Sequence, residues 1–169
     1  IEDKDFVKET QIDTDFEILF PDDYINNIAE RLNLYTKLNE LKTEEELEKF
    51  ETELIDRFGE LPVSAVDLLN SVRIKWIASK IGLERIIMKQ NKLIGYFIAD
   101  QQSRFYQTAN FTKVLQYVQS HPTTCKMKEK KTRNGLRLLL TFDKITSIEK
   151  ALKVLQPLDF RKKKEEVEV

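Results

Sequence analysis

Apolar residues recur at helical spacing through the first half of the chain and at alternating spacing through much of the second. Ile25, Ile28, Ala29, Leu32 and Tyr35 follow Asp22 at intervals that predict a helix capped by that aspartate. Ahead of it, Phe16 to Phe20 reads as a short strand stopped by Pro21. Thr43 with Glu46 forms a capping box, and the helix behind it places Leu47, Phe50, Leu54, Ile55 and Phe58 on its inner side. Gly59 suits the position just past that helix, where a left-handed residue closes the last turn. Pro62 opens a third helix, with Val66, Leu69, Val72 and Trp76 on one stripe, that ends at Gly82.

Beyond Gly82 the period shortens. Arg85–Gln90 and Leu93–Ala99 read as a hairpin turning at Asn91-Lys92. A helix from Asn110 to Ser120 carries Phe111, Val114, Leu115 and Val118 and stops before Pro122. A second hairpin pairs Thr124–Lys130 with Leu136–Phe142 around Asn134-Gly135. Thr146 and Glu149 form a capping box for a closing helix through Leu155, halted by Pro157. The expected fold class is therefore α+β: three N-terminal helices, then two β-hairpins with an intervening helix, then a closing helix. Residues 1–13 read as an upstream acidic segment, expected to be flexible, 14–160 as the domain, and 161–169 as a charged tail.

Composition removes several kinds of chemistry. The chain has 169 residues but four glycines, and no two lie closer than Gly82 and Gly95, so neither a Walker-type loop nor a G-x-G-x-x-G turn can be written. One His and one Cys cannot build a Cys/His zinc site or a disulfide framework, and no cofactor or metal is expected. His121 and Cys125 flank Pro122, which denies them a shared helical face, so a catalytic dyad does not follow and no catalytic residue is assigned. The start, Ile1-Glu2-Asp3-Lys4-Asp5, is acidic and lacks both an initiator Met and the apolar core of a signal peptide. The apolar stretch Leu136 to Phe142 is too short to cross a bilayer. The expectation is a piece of a longer cytoplasmic protein, with no membrane partner.

The formal net charge of −1 hides a segregation. Residues 1–60 hold 19 Asp/Glu and 7 Lys/Arg, and residues 61–169 hold 10 and 21, so a segment of −12 precedes one of +11. Two readings stand: the halves neutralise each other internally, or the domain presents an acidic and a basic face to partners.

Leu19-Phe20-Pro21-Asp22-Asp23-Tyr24-Ile25, then Arg31-Leu32 and Tyr35, then Thr43-Glu44-x-Glu46-Leu47, then Glu53-Leu54-Ile55-Asp56-Arg57-Phe58-Gly59-x-Leu61-Pro62 resemble the C-terminal (TRCF) domain of bacterial transcription-repair coupling factors. The resemblance is dense from Phe16 to Gly82 and thinner from there to Leu158. It implies a parent that is an ATP-dependent DNA translocase, removes stalled RNA polymerase from damaged DNA and recruits excision repair. It further implies a non-catalytic regulatory domain that folds onto the UvrB-homology module of the same chain. There it hides the surface that recruits UvrA and restrains the motor. The absence of any ATPase motif in this chain agrees with a domain separate from that motor.

Candidate residues follow from both sources. Glu53, Asp56 and Arg57 share the outer face of the second helix, with Glu53 and Arg57 spaced for a pair along it. A carboxylate at Asp56, in the last turn, opposes the helix dipole by about 0.3–1 kcal/mol, which a partner cation would offset. These residues are the expected docking contacts, against the plainer reading of a solvated acidic face. The second hairpin gathers Lys126, Lys128, Lys130, Lys131, Arg133 and Arg137, with the first three on one face and Cys125 and Met127 on the other. That pattern suits either nucleic-acid phosphates or the protection of a sheet edge, and no aromatic is interleaved in the hairpin to stack bases.

Overall fold

A computed structural model describes residues 5–160. The chain divides into two compact units, one made of residues 17–73 and the other of residues 1–16 with 74–169. The tail 161–169 and the first four residues lie outside the described range.

The residue 17–73 unit is helical. Helix α1 spans Ile28–Glu40, α2 spans Glu44–Phe58, and α3 spans Val63–Lys80, its first part belonging to this unit. The expected strand at Phe16–Phe20 does not form. Phe20 is buried against Tyr35 (4.9 Å between ring centroids) and Phe50, and its N–H donates to the Tyr35 hydroxyl at 2.8 Å. Aromatic packing rather than strand pairing thus satisfies this stretch. Asp22 does not cap α1; Pro21–Tyr24 make a turn, and Asn27 caps the helix by accepting from the Glu30 N–H at 2.9 Å. The later start shifts the helix phase. Leu34 and Leu38 go inward, while Ile28 and Leu32, expected in the core, are 66% and 60% exposed.

Thr43 caps α2 as expected, accepting from the Glu46 N–H at 3.1 Å, but the Glu46 carboxylate returns to the Lys42 N–H rather than to Thr43's own. Leu47, Phe50 and Leu54 are buried, whereas Ile55 is exposed. Helix α3 is apolar around much of its circumference. Its buried set, Ala65, Leu68, Leu69, Val72, Ile74, Ile77 and Ala78, is wider than the expected stripe, from which Val66 is exposed and Trp76 only half-buried.

The other unit is a mixed five-stranded sheet backed by helices. Strand β1 (Gln11–Thr14) runs parallel to β2 (Leu83–Lys89), and β2, β3 (Lys92–Phe97), β5 (Gly135–Asp143) and β4 (Lys126–Thr132) pair antiparallel in the order β1-β2-β3-β5-β4. The boundary expected after residue 13 therefore falls inside a strand. The first hairpin turns one residue earlier than expected, at Gln90-Asn91, whose φ values of 52° and 61° suit the twist of a two-residue turn. The second begins at Lys126 because Thr124 and Cys125 still donate to the His121 carbonyl. Helix α4 (Ala109–Ser120) is capped by Thr108, and α5 (Ile148–Leu155) by Ser147 rather than Thr146, a start that buries Ile148, Ala151, Leu152 and Leu155 together.

Phe105 is buried in a short 3-10 turn, Arg104–Gln107. It joins Phe6, Phe97, Tyr106 and Phe111 in one aromatic cluster. Gly82, with φ 89°, ends the loop after α3, and any Cβ there would collide with the Phe105 ring. Burial, with Glu84 second, pushes the Tyr106 phenol up to about 12, so it remains a donor, here to the Ile98 carbonyl. Among the described residues no helix is long and apolar enough to cross a membrane, and no group of His, Cys, Asp and Glu is arranged to hold a metal.

Candidate docking surface

The three residues singled out on α2 have different surroundings. Glu53 is not paired along its own helix with Arg57. It accepts from Lys37 Nζ of α1 at 2.9 Å, and that bond holds its carboxyl below the ordinary range. Arg57 pairs instead with Glu30 of α1, and its guanidinium lies 4.7 Å from the centroid of the Phe58 ring. Helix α1 offers Glu30 and Lys37, seven residues apart and so on one face, to Arg57 and Glu53, four apart on α2. Two complementary cross-helix pairs replace the single pair expected along α2.

Asp56 is exposed and has no ion pair among the described residues. Its neighbourhood is nevertheless firmly built. The Tyr24 hydroxyl donates to the Gly59 carbonyl at 2.8 Å, and Tyr24 packs on Phe58 at 5.7 Å. Gly59, at φ 88°, returns its N–H to the Ile55 carbonyl and closes the helix. The outcome is an acidic helix end of defined shape, with one carboxylate engaged by Lys37 and one open. Tyr24 lies in the string that carries the family resemblance, whereas Lys37 and Glu30 belong to no motif, and their only trace in the sequence is the complementary charge spacing on the two helices.

The basic hairpin is also resolved into parts. Lys126, Lys128 and Lys130 are exposed on the edge strand β4, Lys131 points to the opposite side, and Arg133 lies in the turn. Arg137 is half-buried, donates to the Phe97 carbonyl at 2.9 Å and meets Glu84 at 2.8 Å. His121 stacks on Tyr117 at 3.8 Å with Nδ1 near the Tyr117 carbonyl, and Cys125 is buried, which pushes its thiol up. The thiol faces the His121 carbonyl at 4.0 Å, an arrangement that does not activate a nucleophile.

Comparison with known proteins places these features in a family context. A model described as the TRCF domain matches residues 14–108. The chain is 32% identical to the transcription-repair-coupling factor of Rickettsia prowazekii over 136 residues, 80% of this chain and 11% of that protein. It is 39% identical to the Escherichia coli protein of the same name over 79 residues, 47% of this chain and 7% of that one. The chain thus spans about a tenth of the length of these curated relatives. A crystal structure of the C-terminal domain of transcription-repair coupling factor aligns with a TM-score of 0.62 at 21% identity, covering 91% of this chain and 97% of the other, a likeness of fold.

Proposed function

This chain belongs to the TRCF domain family, the C-terminal domain of transcription-repair coupling factors, and from that premise we propose that it is an autoinhibitory interaction module. It docks on the UvrB-homology module of its own full-length chain, in the cytoplasm, masks the surface that recruits UvrA, and restrains the ATP-dependent DNA translocase until RNA polymerase is engaged. The domain itself performs no catalytic step. The observation that supports this reading is the acidic end of α2, where Asp56 is exposed beside Glu53 and Arg57 and has no ion pair among the described residues.

The physical mechanism is competitive masking. A domain tethered to its own target acts at a high effective concentration, so a modest contact suffices to hold it in place. Release requires a partner that binds the undocked state better than the docked one. Cations on the UvrB-homology module would meet Asp56 directly, whereas Glu53 must share or surrender Lys37. The test is UvrA affinity of the full-length protein. Asp56→Lys, which leaves both cross-helix pairs in place, should raise it, and Glu53→Lys with Asp56→Lys should raise it further. Unchanged UvrA affinity and ATPase rate in well-folded variants, and in a deletion of the whole domain, would sink the reading.

A further inference from the structure

The sheet has one face turned toward the helices and one that remains open. Phe97, which meets Phe111 of α4 at 5.7 Å, marks the covered face together with Ile86, Met88, Leu93, Leu140 and Phe142, all buried. The register lays out the other face row by row. Arg85, Tyr96, Leu139 and Lys128 form one row across β2, β3, β5 and β4. Ile87, Ile94, Thr141 and Lys126 form the next, Lys89, Lys92 and Asp143 lie beyond it, and Arg137 pairs with Lys130 at the opposite end. Cations therefore lie on four of the five strands, with Asp13 and Asp143 the carboxylates in those rows.

Three of these cations are already matched. Asp13 sits 3.2 Å from Lys89 and 3.3 Å from Arg85, and Glu84 holds Arg137. Lys92, Lys126, Lys128 and Lys130 are exposed and have no ion pair among the described residues. Protection of a sheet edge accounts for the lysines of β4. It does not account for Lys92 or Arg85, because β2 and β3 are interior strands.

Two observations select the partner. First, the face offers charge without apolar anchors: Leu139 is 7% exposed, Ile87, Ile94 and Tyr96 are only half-exposed, and none of these belongs to the exposed large hydrophobics. An acidic amphipathic segment would need such anchors; a phosphate backbone does not. Second, the Tyr96 ring is covered by Lys130 and Arg137, 5.9 and 5.4 Å from its centroid, so it is not free to stack an unpaired base. We propose that this open sheet face binds the phosphate backbone of duplex DNA, without regard to sequence, through Lys92 on β3 and Lys126, Lys128 and Lys130 on β4. The choice of DNA rests on reading the parent as a DNA translocase; none of these residues belongs to α2.

The test is fluorescence anisotropy of the 169-residue chain with a short labelled duplex. Four phosphate contacts imply an affinity that falls about a hundredfold between about 50 and about 200 mM salt. Lys126→Glu, Lys128→Glu and Lys130→Glu together should abolish most of the low-salt binding. Lys113→Glu, Lys150→Glu and Lys153→Glu, exposed on α4 and α5 with the same change in net charge, should keep most of it. Lys92→Gln alone should lower the salt slope by about one contact, a change that edge protection does not predict, and it avoids any disturbance of β4. Absence of low-salt binding, equal losses in both triple variants, tighter binding of single strands, or equal affinity for an acidic peptide would each overturn the proposal. None of these outcomes depends on UvrA, so the docking reading stands or falls separately.

Discussion

The two units use charge in opposite senses. Residues 17–73 carry 14 Asp/Glu against 6 Lys/Arg, while residues 1–16 with 74–169 carry 15 against 22. In the helical unit the scarce cations are spent on cross-helix pairs, Lys37 with Glu53 and Arg57 with Glu30, so carboxylates such as Asp56 are left over. In the sheet unit the carboxylates are the scarce partner. Asp13 and Glu84 hold Lys89, Arg85 and Arg137, so lysines are left over. Part of the minority charge is tied up in these pairs, and the majority charge is in excess at the surface. Net charge by unit therefore indicates the sign of the surplus that each unit can offer a partner.

The cores differ as well, and that difference can be broken most forcefully. Phe97→Ala removes a fully buried ring from the sheet unit and should cost about 3–5 kcal/mol, while Leu47→Ala in the helical unit should cost about 2–5 kcal/mol. If the units open separately, hydrogen exchange will show Phe97→Ala stripping protection from β2, β3 and β5 but sparing α1 and α2, and Leu47→Ala doing the reverse. Uniform loss in both variants would show one cooperative unit. A smaller effect comes from Gly82→Ala, which meets both a positive φ and the Phe105 ring; a loss of about 1–3 kcal/mol should appear in denaturant melts. On the helical side, Thr43→Ala deletes the α2 cap and should cost about 1 kcal/mol.

The smallest effect is electrostatic and has a counterpart in each unit. Lys37 lowers the Glu53 carboxyl, and Lys89, with help from Arg85, lowers that of Asp13. A carboxyl depressed by folding adds stability above its unfolded value, and that stability is lost as pH falls through the folded one. Both contributions should therefore be complete at neutral pH and disappear in acid, below about pH 4. Both groups are exposed, so salt should weaken the effect. Carboxyl titrations by NMR should show Lys37→Ala returning Glu53 toward the ordinary value without moving Asp13, and Lys89→Ala doing the converse.

Much of this fold was legible in the residues, and the misses have physical causes. Thr43, Gly59, Gly82 and Pro122 act locally, so the ends they mark were read correctly. Asp22 and Thr146 failed as caps because Asn27 and Ser147 stand nearby with equal local chemistry. For α5 the Ser147 start buries Ile148, Ala151, Leu152 and Leu155 together, and for α1 the turn at Pro21–Tyr24 leaves the helix to start at Asn27. Ile28 and Leu32 were assigned to the core by spacing alone, yet spacing does not say which side of a helix meets its neighbours. Strand β1 escaped because four residues of mixed polarity show no period, and its pairing with β2 joins residues more than seventy positions apart.

By itself, the sequence determined the α+β class, the order of the main elements, the TRCF resemblance and the segregation of charge. Each of these depends on neighbours in the chain or on simple sums along it. Only the tertiary structure decided which charges remain available. It tied Glu53 and Arg57 to α1, left Asp56 without an ion pair among the described residues, covered Tyr96 with two cations, and put Lys92 on the same sheet face as Lys126, Lys128 and Lys130, distant in sequence. Ion pairs and strand register link residues far apart along the chain, so the surplus at a surface is settled only after folding has paired the rest.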